Sequence, residues 1–233
     1  TGSHNPSEYN GFKITFDKKP FFDNEIQLLY KMILKKEFIS GEGELVHYNI
    51  KDDYLNMIQS KISIDKRIKV AMDCGNAAGC IIAPELYQLF NIELFDIYCD
   101  VDGTFPNHHP DPTVDHNLVD LQAFTVKNNC DVGIAFDGDA DRIVVLDQEG
   151  DIIRSDVLMS MFIPSLVSKD DPIVYDVKCS KALEDVILKH NGKPVMWKTG
   201  HSLIKNKMKE ENAKLGGEMS GHIFFADNYY GYD

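Results

Sequence analysis

Paired cysteines are missing from this sequence. The five it has, Cys74, Cys80, Cys99, Cys130 and Cys179, are odd in number and never fall in a C-x-x-C spacing. That argues against a disulfide framework or a thiolate zinc site and for a reduced, cytoplasmic setting. Basic charge is scarce as well: 24 Lys and Arg against 37 Asp and Glu leave a formal charge of −13. Nonspecific nucleic-acid binding needs basic stripes that displace counterions, so the balance disfavours it. A phosphorylated small molecule stays compatible, because a few local cations or a metal ion can hold one. No apolar run approaches the roughly 18 residues of a membrane span. Internal repeats and low-complexity segments are absent too.

What is there belongs to a globular protein, with 43% hydrophobic and 26% charged residues over 233 positions. That length supports one or two domains with hydrophobic cores. From about Ile68, short apolar runs alternate with longer amphipathic ones. "IKVAMDCG" predicts a buried strand, "AAGCIIAPELYQLF" a helix, "IELFDIYC" a strand, "NLVDLQAFTVKNN" a helix and "CDVGIAFD" a strand. "IVVLDQEGDIIR" predicts two strands around a turn at Glu149-Gly150. The pattern restarts near Asp151 with helix "SDVLMSMFIPSLV", strand "PIVYDV", helix "SKALEDVILKHN", strand "PVMWKT", helix "SLIKNKMKEENA" and the pair "KLGGEMSG" and "HIFFADN". Regular exchange of strand and helix implies βαβ units and mainly parallel sheets. The stretch from Ser60 to Arg67 is the expected linker into the first such unit. Residues before about 50 offer one strand, "GFKITF", and one helix, "NEIQLLYKMILKKEF", too little to bury a core alone.

The most informative stretch is "DVGIAFDGDADRIVVLD". Asp137, Asp139 and Asp141 alternate in a tight loop between two apolar strands. Two unit charges 4 Å apart interact at about 4 kcal/mol with an effective dielectric near 20, so three crowded carboxylates repel strongly. A divalent cation removes the conflict, and oxygen ligands suit Mg²⁺ or Ca²⁺. A calcium EF-hand loop would need glycine and glutamate where Arg142 and Gln148 stand, and helices where strands flank the loop. Mg²⁺ is the better match, since it bridges a few carboxylates to a phosphate oxygen.

Two further loops carry chemistry-bearing residues. "SHNP" places Ser3 and His4 in a turn, with Lys13 ten residues on. A phosphoserine at Ser3 would bring about −1.5 to −2 charge and three acceptor oxygens, completing a site on the three aspartates. "GGEMSGH" brackets Glu218, Ser220 and His222 with glycines, which suits hydroxyl recognition on a sugar and equally suits a plain hairpin turn. Lys178, Lys198 and His201 each follow an apolar strand, at the end where open α/β sheets bind ligands.

Taken in order, "TGSHNP", "NGFK", "FPNHHPDPT", "DGDADR", "DVKCS", "WKTGHS" and "GEMSGH" resemble the α-D-phosphohexomutases, in the bacterial phosphomannomutase/phosphoglucomutase branch. The motifs cover essentially the whole chain. The resemblance implies an α/β fold of consecutive βαβ domains with mixed or mostly parallel sheets. It implies the remnant of a truncated first domain in 1–50, a metal-binding second domain in 51–151, most of a sugar-binding third domain in 152–233, and no fourth domain. It further implies interconversion of hexose 6-phosphate and hexose 1-phosphate through a phosphoserine at Ser3 and a hexose 1,6-bisphosphate. One Mg²⁺ would sit on Ser3, Asp137, Asp139 and Asp141. His4 and Lys13 would move protons, and Arg142 would pair with phosphate. Lys178, His201, Glu218, Ser220 and His222 would meet the substrate. Met219 resembles the mannose/glucose branch, where the glucosamine branch tends to carry glutamine. Two other readings fit parts of the pattern: a metal- or phosphosugar-binding module without catalysis, and a Mg²⁺-dependent phosphohydrolase.

Overall fold

Valine- and isoleucine-rich runs closed by glycine or aspartate turns make most strands of this chain, and two large sheets and one small ribbon result among the described residues. The computed structural model describes residues 3, 8, 9, 11, 12, 14–17 and 19–226. The N-terminal part is a two-stranded antiparallel ribbon, β1 (Ile14–Phe16) and β2 (Lys19–Phe21), followed by helix α1 (Asn24–Lys35). No residue of α1 is buried, which agrees with too short a segment to close a core. Helix α2 (Lys51–Lys61) was not expected from the sequence. Its polar surface buries only Leu55, and Lys51 pairs with Glu85 at 2.5 Å. Strand β2 was missed too, because a proline within a three-residue run is a poor strand signal. The linker is correspondingly shorter than predicted and runs from Ile62 to Arg67.

The first large sheet has the order β4-β3-β5-β6-β7, with β3 at Ile68–Asp73, β4 at Ile92–Ile97, β5 at Val132–Phe136, β6 at Ile143–Leu146 and β7 at Ile152–Ile153. β3 runs parallel to β4 and β5, whereas β6 is antiparallel to β5 and β7 is antiparallel to β6. The predicted helix at 77–90 divides into a 3₁₀ turn (Ala78–Ile81) and α3 (Ala83–Gln88). Pro84 explains the break: proline lacks an N–H and suits the first turn of a helix, not its interior. Helix α4 (Val119–Lys127) lies close on the sheet because its neighbour on β5 is glycine. A Cβ at Gly133 would come within 2.6 Å of the Thr125 Oγ1. Leu118, Leu121, Ala71, Ala135, Val144 and Leu146 fill that interface.

The second sheet has the order β11-β10-β8-β9, with β8 at Pro172–Asp176, β9 at Lys193–Trp197, β10 at Leu215–Gly217 and β11 at Ile223–Phe225. β8 is parallel to β9 and β10, and only β11 is antiparallel. Helices α5 (Ser155–Leu166) and α6 (Lys181–Lys189) pack around Met159, Ile163, Ile173, Leu183, Ile187 and Leu215. Helix α7 (His201–Glu211) covers Val174 with Ile204 and Met208. The expected α/β architecture is therefore present twice, with a mixed first sheet and a mostly parallel second one. All five cysteines are free, three of them buried. No helix among the described residues is long and apolar enough to cross a membrane.

Candidate active site

The acidic loop leaves the carboxyl end of β5 and turns at once. The Ala140 N–H bonds back to the Asp137 carbonyl at 3.1 Å, with Ala140 itself at φ 58°. Asp137 is wholly buried. Its Oδ1 accepts the backbone N–H groups of Asp141 (3.1 Å) and Arg142 (3.2 Å). Its Oδ2 accepts the Ser3 hydroxyl at 2.6 Å, across 134 residues of chain. Burial pushes the Asp137 carboxyl above its usual range; the Ser3 hydrogen bond opposes this, and the charges of Asp141 and Asp139 reinforce it. Ser3 reaches this loop because position 138 is glycine: any Cβ there would collide with the Ser3 carbonyl oxygen. Of the other residues assigned to proton transfer, His4 and Lys13 lie outside the described residues.

One ligand oxygen from each of Asp137, Asp139 and Asp141 lies within 4.8 Å of the others. Asp139 and Asp141 each keep an Oδ1 shielded from solvent. An all-carboxylate set this compact fits a hard, oxygen-loving divalent ion such as Mg²⁺.

The loop between β10 and β11 is organised from both sides. The Glu218 N–H bonds the His222 carbonyl at 2.9 Å, and the Gly221 N–H bonds the Glu218 carbonyl at 3.1 Å. The Glu218 side chain, 3% exposed, accepts the Gly200 N–H on Oε1 and the Ser220 hydroxyl at 3.5 Å on Oε2. Below the loop, the fully buried Asp176 at the end of β8 gathers the Lys178 N–H (3.2 Å), the Thr199 hydroxyl (3.2 Å) and the Met219 N–H (3.4 Å). One carboxylate thus fixes the three turns that carry Lys178, His201 and Ser220. A buried acid was not singled out in "YDVKC", although an aspartate closing an apolar strand is a readable signal.

His222 joins this loop to the acidic one. Its ring is buried between His201 (centroids 5.5 Å apart) and Phe224 (5.7 Å). The Arg142 Nε donates to His222 Nε2 at 3.0 Å, and Asp141 Oδ1 stands 3.9 Å from the same nitrogen. Arginine has only donors, so this Nε2 is the unprotonated ring nitrogen. Arg142 Nε also lies 3.8 Å from Asp137 Oδ2.

Lys178 and Ser220 open instead onto a cavity of about 300 Å³ that also touches Met219, Thr113, Val144 and Arg154. Ser3 and the three aspartates are not part of its lining. The predicted residues therefore form two groups that share the 218–222 loop. Thr113 and Arg154 were missed, since neither sits in a motif with a chemical rationale. Arg154 is held by a two-point ion pair to Asp115, at 2.8 and 2.7 Å.

Residues 52–150 match the family model for phosphoglucomutase/phosphomannomutase alpha/beta/alpha domain II, and residues 154–233 match that for domain III. A phosphomannomutase/phosphoglucomutase of Pseudomonas aeruginosa is 46% identical over 235 residues, covering 100% of this chain and 51% of the relative. A phosphoglucomutase of Neisseria meningitidis is 40% identical, covering 100% of this chain and 52% of the relative. Among solved structures, a phosphoglucomutase/phosphomannomutase family protein of Burkholderia thailandensis superposes with a TM-score of 0.93 at 40% identity, over 100% of this chain and 51% of that one. The chain spans about half the length of the curated relatives it matches. Two successive domain matches, in the right order and on the two sheets described above, make this chain a member of the phosphoglucomutase/phosphomannomutase family, the α-D-phosphohexomutases.

Proposed function

We propose that this chain carries the central part of a phosphohexomutase that interconverts hexose 6-phosphate and hexose 1-phosphate, with mannose or glucose as the sugar. The observation that carries the reading is the 2.6 Å contact between the Ser3 hydroxyl and Asp137 in a loop of three carboxylates. A phosphoserine in that position would add about −1.5 to −2 charge beside three carboxylates. Such a cluster is tenable only with a cation between them. We assign one Mg²⁺ to Asp137, Asp139, Asp141 and the Ser3 phosphate; when bound, it supplies charge neutralisation at the transferring phosphoryl group.

The chain's own residues take the following parts. Phosphorylated Ser3 gives its phosphoryl group to a sugar hydroxyl: the P–Oγ bond breaks as the sugar oxygen bonds to phosphorus. The hydroxyl proton leaves to His4 or Lys13, one of which returns a proton to Ser3 Oγ. Hexose 1,6-bisphosphate results, turns over in the site, and gives its other phosphate back to Ser3. Arg142 pairs with phosphate oxygens as a fork. Glu218, Ser220 and His222 hold the sugar end from one loop, with Lys178 and His201 on the adjoining turns. We divide the chain accordingly into a phosphoserine segment (1–50), a metal-binding unit (51–151) and a sugar-binding unit (152–233). Five free thiols suit a reducing, cytoplasmic setting.

The test is intact-peptide mass spectrometry of the Ser3 segment from freshly purified, full-length protein, alongside a coupled assay for isomerised sugar phosphate. The expected result is one phosphate on Ser3 and isomerisation abolished by Ser3→Ala. Active enzyme with unmodified Ser3 overturns the mechanism. Free phosphate without isomerised sugar would instead mark a phosphohydrolase.

A further inference from the structure

The acidic loop and the 218–222 loop belong to different sheets, yet their backbones touch at one point. The Ile143 N–H, on the first residue of β6, donates to the Gly221 carbonyl at 3.2 Å. Gly221 has φ 103°, a conformation that side-chain-bearing residues rarely adopt. A Cβ on it would lie 2.9 Å from the Ile143 carbonyl oxygen and 3.3 Å from both the Ile143 nitrogen and the Arg142 Cβ. These neighbours are backbone or its immediate attachment, so they have little freedom to move aside. Beside the contact, Arg142 Nε bonds His222 Nε2, and that same nitrogen lies 3.9 Å from Asp141 Oδ1. Asp141 and Arg142 before Ile143, and His222 after Gly221, thus carry the polar side-chain contacts beside this backbone hydrogen bond.

We propose that Gly221 is a positioning residue which locks the sugar-facing loop to the metal-facing loop, so that Mg²⁺ and a hexose monophosphate bind cooperatively. This rests on the phosphohexomutase reading and deepens it. Ordering of the acidic loop by a cation fixes Arg142 and the start of β6. Through the 143–221 hydrogen bond, the same ordering fixes Glu218, Ser220 and His222. A ligand that orders the second loop reciprocally favours the first, since linkage between two binding equilibria is symmetric. No shift of a whole domain is required, because the two loops are already in contact.

The test is calorimetric and does not depend on turnover. Mannose 6-phosphate binding to the dephosphorylated full-length protein is measured with and without Mg²⁺, and Mg²⁺ binding is measured alone. In the wild type, the expected gain in sugar-phosphate affinity on adding Mg²⁺ is about fivefold or more. In Gly221→Ala that gain should fall to about twofold or less, with Mg²⁺ affinity alone nearly unchanged. Gly216→Ala is the matched control: a Cβ there presses on Met208 Sδ at 2.6 Å, and its nearest neighbours are Met208 and Val174 of the same unit. It should lower thermal stability while keeping the wild-type coupling. Should Gly221→Ala fail to fold, hydrogen exchange at the Ile143 amide of the wild type reads the same contact. Slower exchange on adding either ligand supports the joint, and exchange indifferent to both overturns it. Equal coupling in wild type and Gly221→Ala overturns this inference alone. A wild type that binds no mannose 6-phosphate overturns the mutase reading and this inference with it.

Discussion

Ser3 and Asp137 are 134 positions apart in the chain, and their side chains meet at 2.6 Å. The contact needs the missing side chain of Gly138, over which the Ser3 backbone passes. Gly138→Ala should therefore displace Ser3 while leaving the three carboxylates of the metal site in place. A displacement of about 1 Å at a reacting group costs on the order of 100-fold in rate. Isomerisation by the full-length variant should drop by at least that factor, while the Mg²⁺ affinity of its dephosphorylated form, followed by calorimetry, stays within a few-fold of wild type.

How much of this could be read beforehand differs from element to element. The strands of both large sheets were legible because their apolar runs are bounded by clear turns, even where the strand is as short as β7, β10 or β11. The 77–90 helix was misjudged as continuous because its apolar spacing hides the effect of Pro84. Helix α2 gave no signal, since only Leu55 is buried and periodicity is visible only where a face is apolar. Three aspartates within five residues announced an acidic cluster by charge alone. The supporting hub at Asp176 escaped notice because it holds backbone groups and hydroxyls, which no motif records.

Asp139→Asn should weaken Mg²⁺ binding by at least about tenfold, as ligand charge sets affinity in carboxylate sites. In the absence of metal the same change should raise the melting temperature, because one of three mutually repelling charges is gone. Wild-type protein should gain about 2.7 kcal/mol of stability at a Mg²⁺ concentration 100 times the dissociation constant. Thermal melts with EDTA and with excess Mg²⁺ check both halves; a metal-dependent gain in the variant equal to wild type would refute the assignment.

Lys178→Met should raise the KM for hexose monophosphate by roughly 10- to 100-fold, the worth of one charge-assisted hydrogen bond at 1.5–3 kcal/mol. Lys178 is exposed and contributes only its backbone N–H to Asp176, so the melting temperature should stay within about 1 °C. Steady-state kinetics on the full-length variant decide the matter, and an unchanged KM would remove Lys178 from the substrate site.

His108 anchors the 99–113 loop to the end of β3 and makes the protein's stability pH-dependent. Its Nε2 lies 2.9 Å from Asp73 Oδ2 and its Nδ1 lies 3.0 Å from the His109 carbonyl oxygen. Both partners are acceptors, so the ring is held as an imidazolium. The hydrogen bond to buried Asp73 raises its pKa above 6.5, against the opposing effect of its own burial. A histidine bound more tightly when charged adds stability that is complete below its unfolded pKa and fades as pH rises through the folded value. Denaturant melts of wild type and His108→Gln should differ most at pH 6 and converge above the folded pKa. A gap that widens with pH would contradict the pairing.

The free thiols have a practical consequence for spectroscopy. Burial holds the Cys80 thiol up at about 11, and raises Cys130 and Cys179 as well; a hydrogen bond to Cys99, with burial behind it, raises Cys74. Alkylating reagents attack thiolate, so these native sulfurs react sluggishly near neutrality. A cysteine introduced on an exposed loop would outpace these four, which lets a fluorophore or spin probe be attached to this protein without first stripping them.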